Sequence, residues 1–420
     1  MNKFFSYITL ILTINFSLLA FHSFSQDYWQ EKVYSPVIKS VKLEVEGTDF
    51  TMPILRLGSS QKIKLSFDEL EEQTKRYNYT IIHCNANWTQ SELQPQEYIQ
   101  GFESGYIENF SNSFNTIQRF VHYSQSFPNS MMSFKVSGNY VIKVYEDDNT
   151  DKVVMVRRFM VVEDEAYIRA DLMMGRNPSE QKTKQEIDVF VKPTSNMSFA
   201  DPSRYIKVFV QQNGNRDNIS LLKQRQIKST EIEYSFNPQN IFDAGNEFRN
   251  FDFSSLRSRS KNVSNIDFSN NENHVRLIPD KDRSKLPYST VGDLNGYYYI
   301  RNERAYNNEL ESDYAWVHFY LPMDMRLDGS FYIWGELSDW YCNDQNKMKY
   351  DFDHNSYYLD LYLKQGFYDY MIMFKASNSN IITPTILEGN HSVANNSYNI
   401  FVYYRKPGNN YDSLIGYLRK

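Results

Sequence analysis

Residues 83–88 read HCNANW and set a histidine beside a cysteine, with two asparagines and a tryptophan close by. A cysteine nucleophile needs a base within hydrogen-bond reach and an electropositive, partly exposed setting. The preceding run YNYTII reads as a strand, where successive residues point to opposite faces, so His83 and Cys84 diverge. Cys84 shares its face with Ile82, which is no setting for a thiolate. Zinc would need three or four converging ligands, usually in paired spacings, and the chain has none of those spacings. His122, His274, His318, His354 and His391 stand singly in the sequence, each read as a hydrogen-bonded or surface residue. There is no nucleophile elbow, phosphate loop or dinucleotide fingerprint. The carboxylate pairs Asp147/Asp148 and Asp351/Asp353 fall in turns, where Asp is expected for backbone reasons. The expectation is a protein that binds rather than catalyses, with no catalytic, cofactor-binding or metal-ligating residue.

The elements that carry these residues show a period of two. In IKSVKLEVE, Val41, Leu43 and Val45 alternate with Lys42, Glu44 and Glu46; in EIDVFVK, Ile187, Val189 and Val191 alternate with Asp188 and Lys192. The same pattern recurs in QKIKLSF, NYVIKVYE, RYIKVFVQ, EIEYSF, WVHFYLP, YYLDLYL, FYDYMIMF and YNIFVYYR, separated by Gly, Asn, Asp and Pro turns. Many short strands with turns between them predict an all-β chain of three consecutive β-sandwich domains, Ig-like or E-set-like. Punctuation sets the boundaries at 26–163, 164–311 and 312–420. The polar stretch SSLRSRSKNVSNIDFSNNEN reads as a long excursion of the second domain.

Residues 1–25 are predicted to be a cleaved signal peptide: Lys3, then the uncharged run YITLILTINFSLLAF, then Ser23 and Ser25 before Gln26. No later stretch is apolar enough to span a bilayer. A formal net charge of −6 gives no basic face for nucleic acid. Two cysteines, Cys84 and Cys342, lie in different predicted domains and are read as buried thiols, so stability must come from the core. Aromatic residues make up 16 % of the chain, which suits pleated, half-buried sheets.

HCNANWTQSEL, YIQGFESGYIENFSNSFNT, FVHYSQSFPN and SGNYVIKVYE, in that order, resemble the first domain of the plug proteins of the type IX secretion system of the Bacteroidetes. The resemblance continues through FVKPTSN, YIKVFVQQNGNRDN, GNEFRNFDFSSLRS and DLNGYYYIRNE to EGNHSVANNSYNIFVYYRKPGNNYDSLIGY, and so covers the mature chain. Asn85 and Asn87 stand where such proteins also carry acidic residues. The resemblance implies a non-enzymatic plug at the periplasmic mouth of a large outer-membrane β-barrel translocon, its partner, with no small-molecule substrate. It also makes His83 to Trp88 a strand end and turn, with Cys84 in the core and Trp88 as a lid over the domain edge.

A second resemblance concerns WVHFYLPMDMRLDGSFYIWGELSDWYCND and LDLYLKQGFYDYMIMF, which look like a glycogen-binding type of carbohydrate module. It implies an alternative function, an exported glycan-binding protein in which Trp340 stacks on a sugar ring and Asn396 meets its hydroxyls. Met371 stands where that family has a lysine, and the loop SNSNIIT lacks its second tryptophan. With both absent, the expectation is an inherited sandwich without its ligand, Trp334 and Trp340 serving as packing residues.

Overall fold

The alternating segments form strands: 47 % of the described residues are strand and 6 % helix, the helix limited to short turns such as Pro95–Tyr98. The structure is a computed structural model that describes residues 30–194, 198–216, 218–228, 231–290 and 292–420; the expected leader at 1–25 lies outside them.

The first sandwich pairs two sheets. One orders Lys32–Val33, Val153–Val162, Gly138–Glu146, Tyr77–Cys84 and Ser104–Tyr106; the other orders Ile38–Val45, Ile63–Glu69, Val121–Phe127 and Asn109–Asn112. Between them lie Leu65, Phe67, Tyr77, Ile81, Tyr123, Tyr140, Ile142 and Phe159, all buried. The second sandwich packs the sheet Ala166–Met174, Lys184–Pro193, Ile232–Tyr234, Gln226–Ile227 against the sheet Ile219–Leu221, Ile206–Gln212, Tyr398–Tyr404, Ser413–Arg419. Its core joins Ile187, Val189 and Val191 to Val208, Val210, Ile400, Val402 and Ile415. The third combines Arg249–Asp252, Gly366–Ala376, Tyr298–Ile300 and Gly329–Trp334 with Val263–Ser269, Glu272–Leu277, Tyr314–Pro322, Ser356–Lys364 and Lys349–Asp351.

The sandwiches are therefore not consecutive. The third is inserted into the second, because Ile206–Gln212 pairs residue for residue with Tyr398–Tyr404. The boundary expected at 311/312 cuts through a sheet, since Glu272–Leu277 runs parallel to Tyr314–Pro322. The polar stretch after residue 253 belongs to the third sandwich, where Val263–Ser269 and Glu272–Leu277 form a hairpin at the edge of a sheet. Its two-residue turn, Asn270 and Asn271, has φ of 52° and 64°, the left-handed pair that a tight hairpin needs and that asparagine tolerates. Asn396, expected in the third domain, precedes a strand of the second. Chain enters and leaves the insert through a narrow neck: His391 N donates to Gly245 O at 2.8 Å, and Gly245 N donates to Asn390 Oδ1 at 2.8 Å.

This topology separates two fragments. Residues 312–420 contain Tyr398–Tyr404 without its partner Ile206–Gln212, and lack four strands of the third sandwich. They are expected to melt without a cooperative transition, whereas residues 246–390 are expected to melt sigmoidally; circular dichroism on the two purified fragments checks this, and a cooperative transition for 312–420 would count against the insertion.

Candidate functional site

HCNANW sits where the first sandwich meets the second. Strand Tyr77–Cys84 turns His83 toward the inside and Cys84 outward, as the alternation requires. The His83 ring is enclosed by Tyr98, Tyr140 and Tyr411, at centroid distances of 5.7, 5.0 and 5.5 Å. Its Nε2 lies 3.2 Å from Ser137 O and its Nδ1 2.8 Å from Ser91 Oγ. A carbonyl only accepts, so Nε2 carries the proton and Nδ1 accepts from the serine hydroxyl. Burial pushes the imidazole down to about 4. Cys84 lies in a small cluster with Ile82, Val141 and Val156 on the outer face of its sheet, and burial pushes its thiol up to about 12. A neutral thiol with no base beside it is no nucleophile. Trp88 is half-buried, with φ of 66°, and the Arg158 guanidinium lies 4.6 Å from its ring centroid. Cys342 is also half-buried, in contrast to the expected core thiol.

The turn after His83 is a clamp on the second sandwich. Ala86 N donates to Asp412 Oδ2 at 3.2 Å, Arg405 Nη2 donates to Asn85 Oδ1 at 3.1 Å, and Arg405 Nε donates to Asp412 Oδ1 at 2.8 Å. Asn139 Nδ2 donates to Asn85 O at 3.0 Å and its Oδ1 accepts from Tyr403 OH at 2.7 Å. Burial alone would raise Asp412, but Arg405 and Lys207 hold its carboxyl below the usual range. Beneath these bonds, Ile54, Met160 and Val162 of the first sandwich pack on Phe401, Tyr403 and Leu414 of the second.

The turn Gly335–Trp340 of the third sandwich reaches both of the others. Lys42 Nζ lies 2.5 Å from Glu336 Oε2 and donates to Tyr298 O at 2.8 Å, while Arg157 Nη2 donates to Asp339 Oδ1 at 2.8 Å. Trp340 is 5 % exposed, packed against Trp334 at 5.0 Å and Tyr297 at 5.4 Å. Gly214 of the second sandwich closes it in: a Cβ there would lie 2.3 Å from the indole, so only glycine permits this approach. No ring face is left for a sugar. Asn396 is buried too, donating to Gln185 Oε1 at 3.0 Å and Ala244 O at 2.7 Å and accepting from Asn213 Nδ2 at 2.9 Å. The two residues thus lie in different sandwiches, and Met371 packs beside Trp334.

The first and third sandwiches meet through side chains that alternation would assign to solvent. Asp68 and His122, cross-strand neighbours on the outer face of the first sandwich, bond through Nδ1 and Oδ1 at 2.6 Å. Lys364 Nζ from the third sandwich lies 2.5 Å from Asp68 Oδ2, which also accepts from Tyr314 OH at 2.7 Å. Lys364 further donates to Glu309 O at 2.6 Å and sits 4.1 Å from the Phe120 ring centroid. Burial works against both charges: it leaves Lys364 below its ordinary range, while Lys364 and His122 hold Asp68 below its own. Nearby, Ile117 N and Gln118 N donate to the Asp313 carboxylate at 2.8 and 3.0 Å. No local sequence signal marks Asp68 and Lys364, which are 296 residues apart.

Two histidines read as isolated do come together. His274 Nδ1 is 3.0 Å from His318 Nε2, and His318 Nδ1 is 2.7 Å from Asp360 Oδ1, a row across three strands of the third sandwich. Among the described residues no group of three or more His, Cys, Asp or Glu is placed to hold a metal.

Two outcomes follow for stability. Asp68→Ala leaves the buried Lys364 ammonium without its carboxylate and is expected to cost about 3–5 kcal/mol, whereas Asp68→Leu with Lys364→Met costs much less; urea denaturation of the single and double variants checks this. His83 has a folded value of about 4 against about 6.5 when unfolded, so the unfolded chain binds the extra proton between those values. Its contribution is full above pH ~6.5 and lost toward pH ~4, up to about 3 kcal/mol. Asp369 works oppositely, since burial pushes it up to about 7 and its contribution is lost as pH rises toward that value. Comparing His83→Gln with the parent by urea denaturation at pH 4.5 and 7 isolates the histidine, because Asp369 is common to both: the variant's stability relative to the parent should be higher at pH 4.5 than at pH 7.

Residues 38–163, nearly the whole first sandwich, match the family described as type 9 secretion system plug protein 1st domain. No curated protein matches the chain. The crystal structure of a hypothetical protein from Parabacteroides merdae superposes with a TM-score of 0.90 at 36 % identity, covering 93 % of this chain and 98 % of that one. No helix among the described residues is long and apolar enough to cross a membrane. The chain thus belongs to one family with the Parabacteroides merdae protein, and its first sandwich carries the domain that begins type 9 secretion system plug proteins.

Proposed function

We propose that the chain is a non-enzymatic plug that occludes the periplasmic opening of the outer-membrane translocon of the type IX secretion system when no cargo is passing. The observation that carries this reading is the plug-domain match over 38–163. The site geometry supports it by what it provides: a block in which each sandwich is bonded to the other two. Arg405 and Asp412 hold the second on the first, Lys364 holds the third on the first, and the neck with Gly214 holds the third on the second. A stopper for a pore wide enough to pass folded cargo must neither thread through nor hinge open, and a body with three mutual contacts resists both. The chain acts at the inner side of the outer membrane, with the translocon as partner and no small-molecule substrate.

Deleting the gene is expected to leave cargo secretion running while admitting a hydrophilic antibiotic too large for ordinary porins. Unchanged exclusion of that antibiotic in the deletion strain would sink the reading.

A further inference from the structure

We infer that the lateral edge of the first sandwich formed by residues 102–112 is the docking surface of this protein, and that its occupant is an extended, arginine- or lysine-bearing segment of the translocon, added as a strand beside Asn109–Asn112. The inference rests on the plug reading above and goes beyond it by naming the surface and the partner's chemistry.

Asn109–Asn112 is the last strand of its sheet, paired only with Val121–Phe127, and all four of its residues are exposed. In an antiparallel ladder alternate residues turn their N–H and C=O away from the single neighbour, so one row of backbone groups faces outward. Edges kept from pairing usually carry lysine, proline or a bulge. NFSN has none of these, and its pairing to Val121–Phe127 is regular. Ser104–Tyr106, the edge of the facing sheet, is likewise unprotected: SGY.

Aromatic and acidic side chains recur along this edge. Phe102 is 62 % exposed, Tyr106 50 % and Phe110 51 %, three open aromatic rings within nine positions. From residue 99 to 118 the only charged groups are Glu103 and Glu108, with no lysine or arginine. Aromatic faces and carboxylates complement a basic strand, through ion pairs and guanidinium stacking. The chain already shows the second contact, since the Arg76 guanidinium lies 5.1 Å from the Tyr106 ring centroid. A strand laid on this edge takes its affinity from backbone hydrogen bonds and its selectivity from alternate side chains. An acidic strand would meet Glu103 and Glu108, and a helix would leave the outward backbone row unpaired. The edge also lies within the segment that matches the plug domain.

The test uses the full-length tagged chain, returned to a strain lacking its own copy, with the translocon recovered from gently solubilised outer membranes. Phe110→Lys puts a cation on the edge and is expected to lower translocon recovery at least tenfold, with Met325→Lys, on the third sandwich, matching the parent. In the recovered parent complex, amide hydrogen exchange at 109–112 should slow at least tenfold, and cross-linking from the edge should reach a translocon segment containing arginine or lysine. If the parent brings no translocon, the plug reading fails. If it does, but Phe110→Lys brings as much and exchange at 109–112 is unchanged, the edge is not the docking surface and the inference is overturned. Cross-links to an acidic segment, or to a second copy of the chain, overturn it as well.

Discussion

The ladder between Ile206–Gln212 and Tyr398–Tyr404 governs how the rest of the molecule is arranged. Its two strands are separated by the entire third sandwich, so that unit must have compact ends lying side by side before the second can close around its neck. Glycine and asparagine meet the requirement at the neck: Gly245 and Gly389 take φ of 63° and 81°, and Asn390 and Asn396 use their amides to join the passing strands. Once closed, the ladder delivers Arg405 and Asp412, in the loop that follows it, to the turn at Asn85. It also fixes Gly214, just past its other strand, against Trp340.

The joints between sandwiches divide by chemistry. The first and second meet over an apolar patch rimmed by the Asn85 clamp, which is ordinary interface anatomy. The first and third meet through Asp68, His122, Lys364, Lys42 and Glu336, where attraction must offset the cost of removing charges from water. Such a joint adds little net stability over an apolar one, but it tolerates only one register, because shifting it leaves a buried charge alone.

Alternation is a local property, and what it conveyed was local. The strands at Ile187–Val191 and Tyr77–Cys84, the divergence of His83 from Cys84, and the inert setting of the thiol all follow from residues within a few positions of one another. Alternation also assigns Asp68, Lys42 and His122 to a polar face without saying whether water or another sandwich covers it. The hairpin at Asn270–Asn271 was hidden because an edge strand needs few apolar residues, leaving Ser, Asn and Asp to dominate the stretch. Asn396 belongs to the second sandwich rather than the third for a related reason: a strand's period does not reveal its partner, and here the partner of Tyr398–Tyr404 lies before the insert rather than after it. Trp340 was legible as a turn residue; that its second neighbour is a glycine from another sandwich was not, since that contact joins positions far apart in the chain.

The insertion gives synthesis a direction. The first sandwich is continuous in sequence and can close as its last strand, Val153–Val162, appears, whereas the outer face bearing Ile54, Met160 and Val162 stays bare until Phe401, Tyr403 and Leu414 arrive. A chain interrupted anywhere in the insert therefore displays an apolar patch beside an unclasped Asn85 turn, a mark of incompleteness that chaperones and proteases can read. The final hairpin acts as a seal: adding it hides the patch, fastens the clamp and closes the second sandwich in one step.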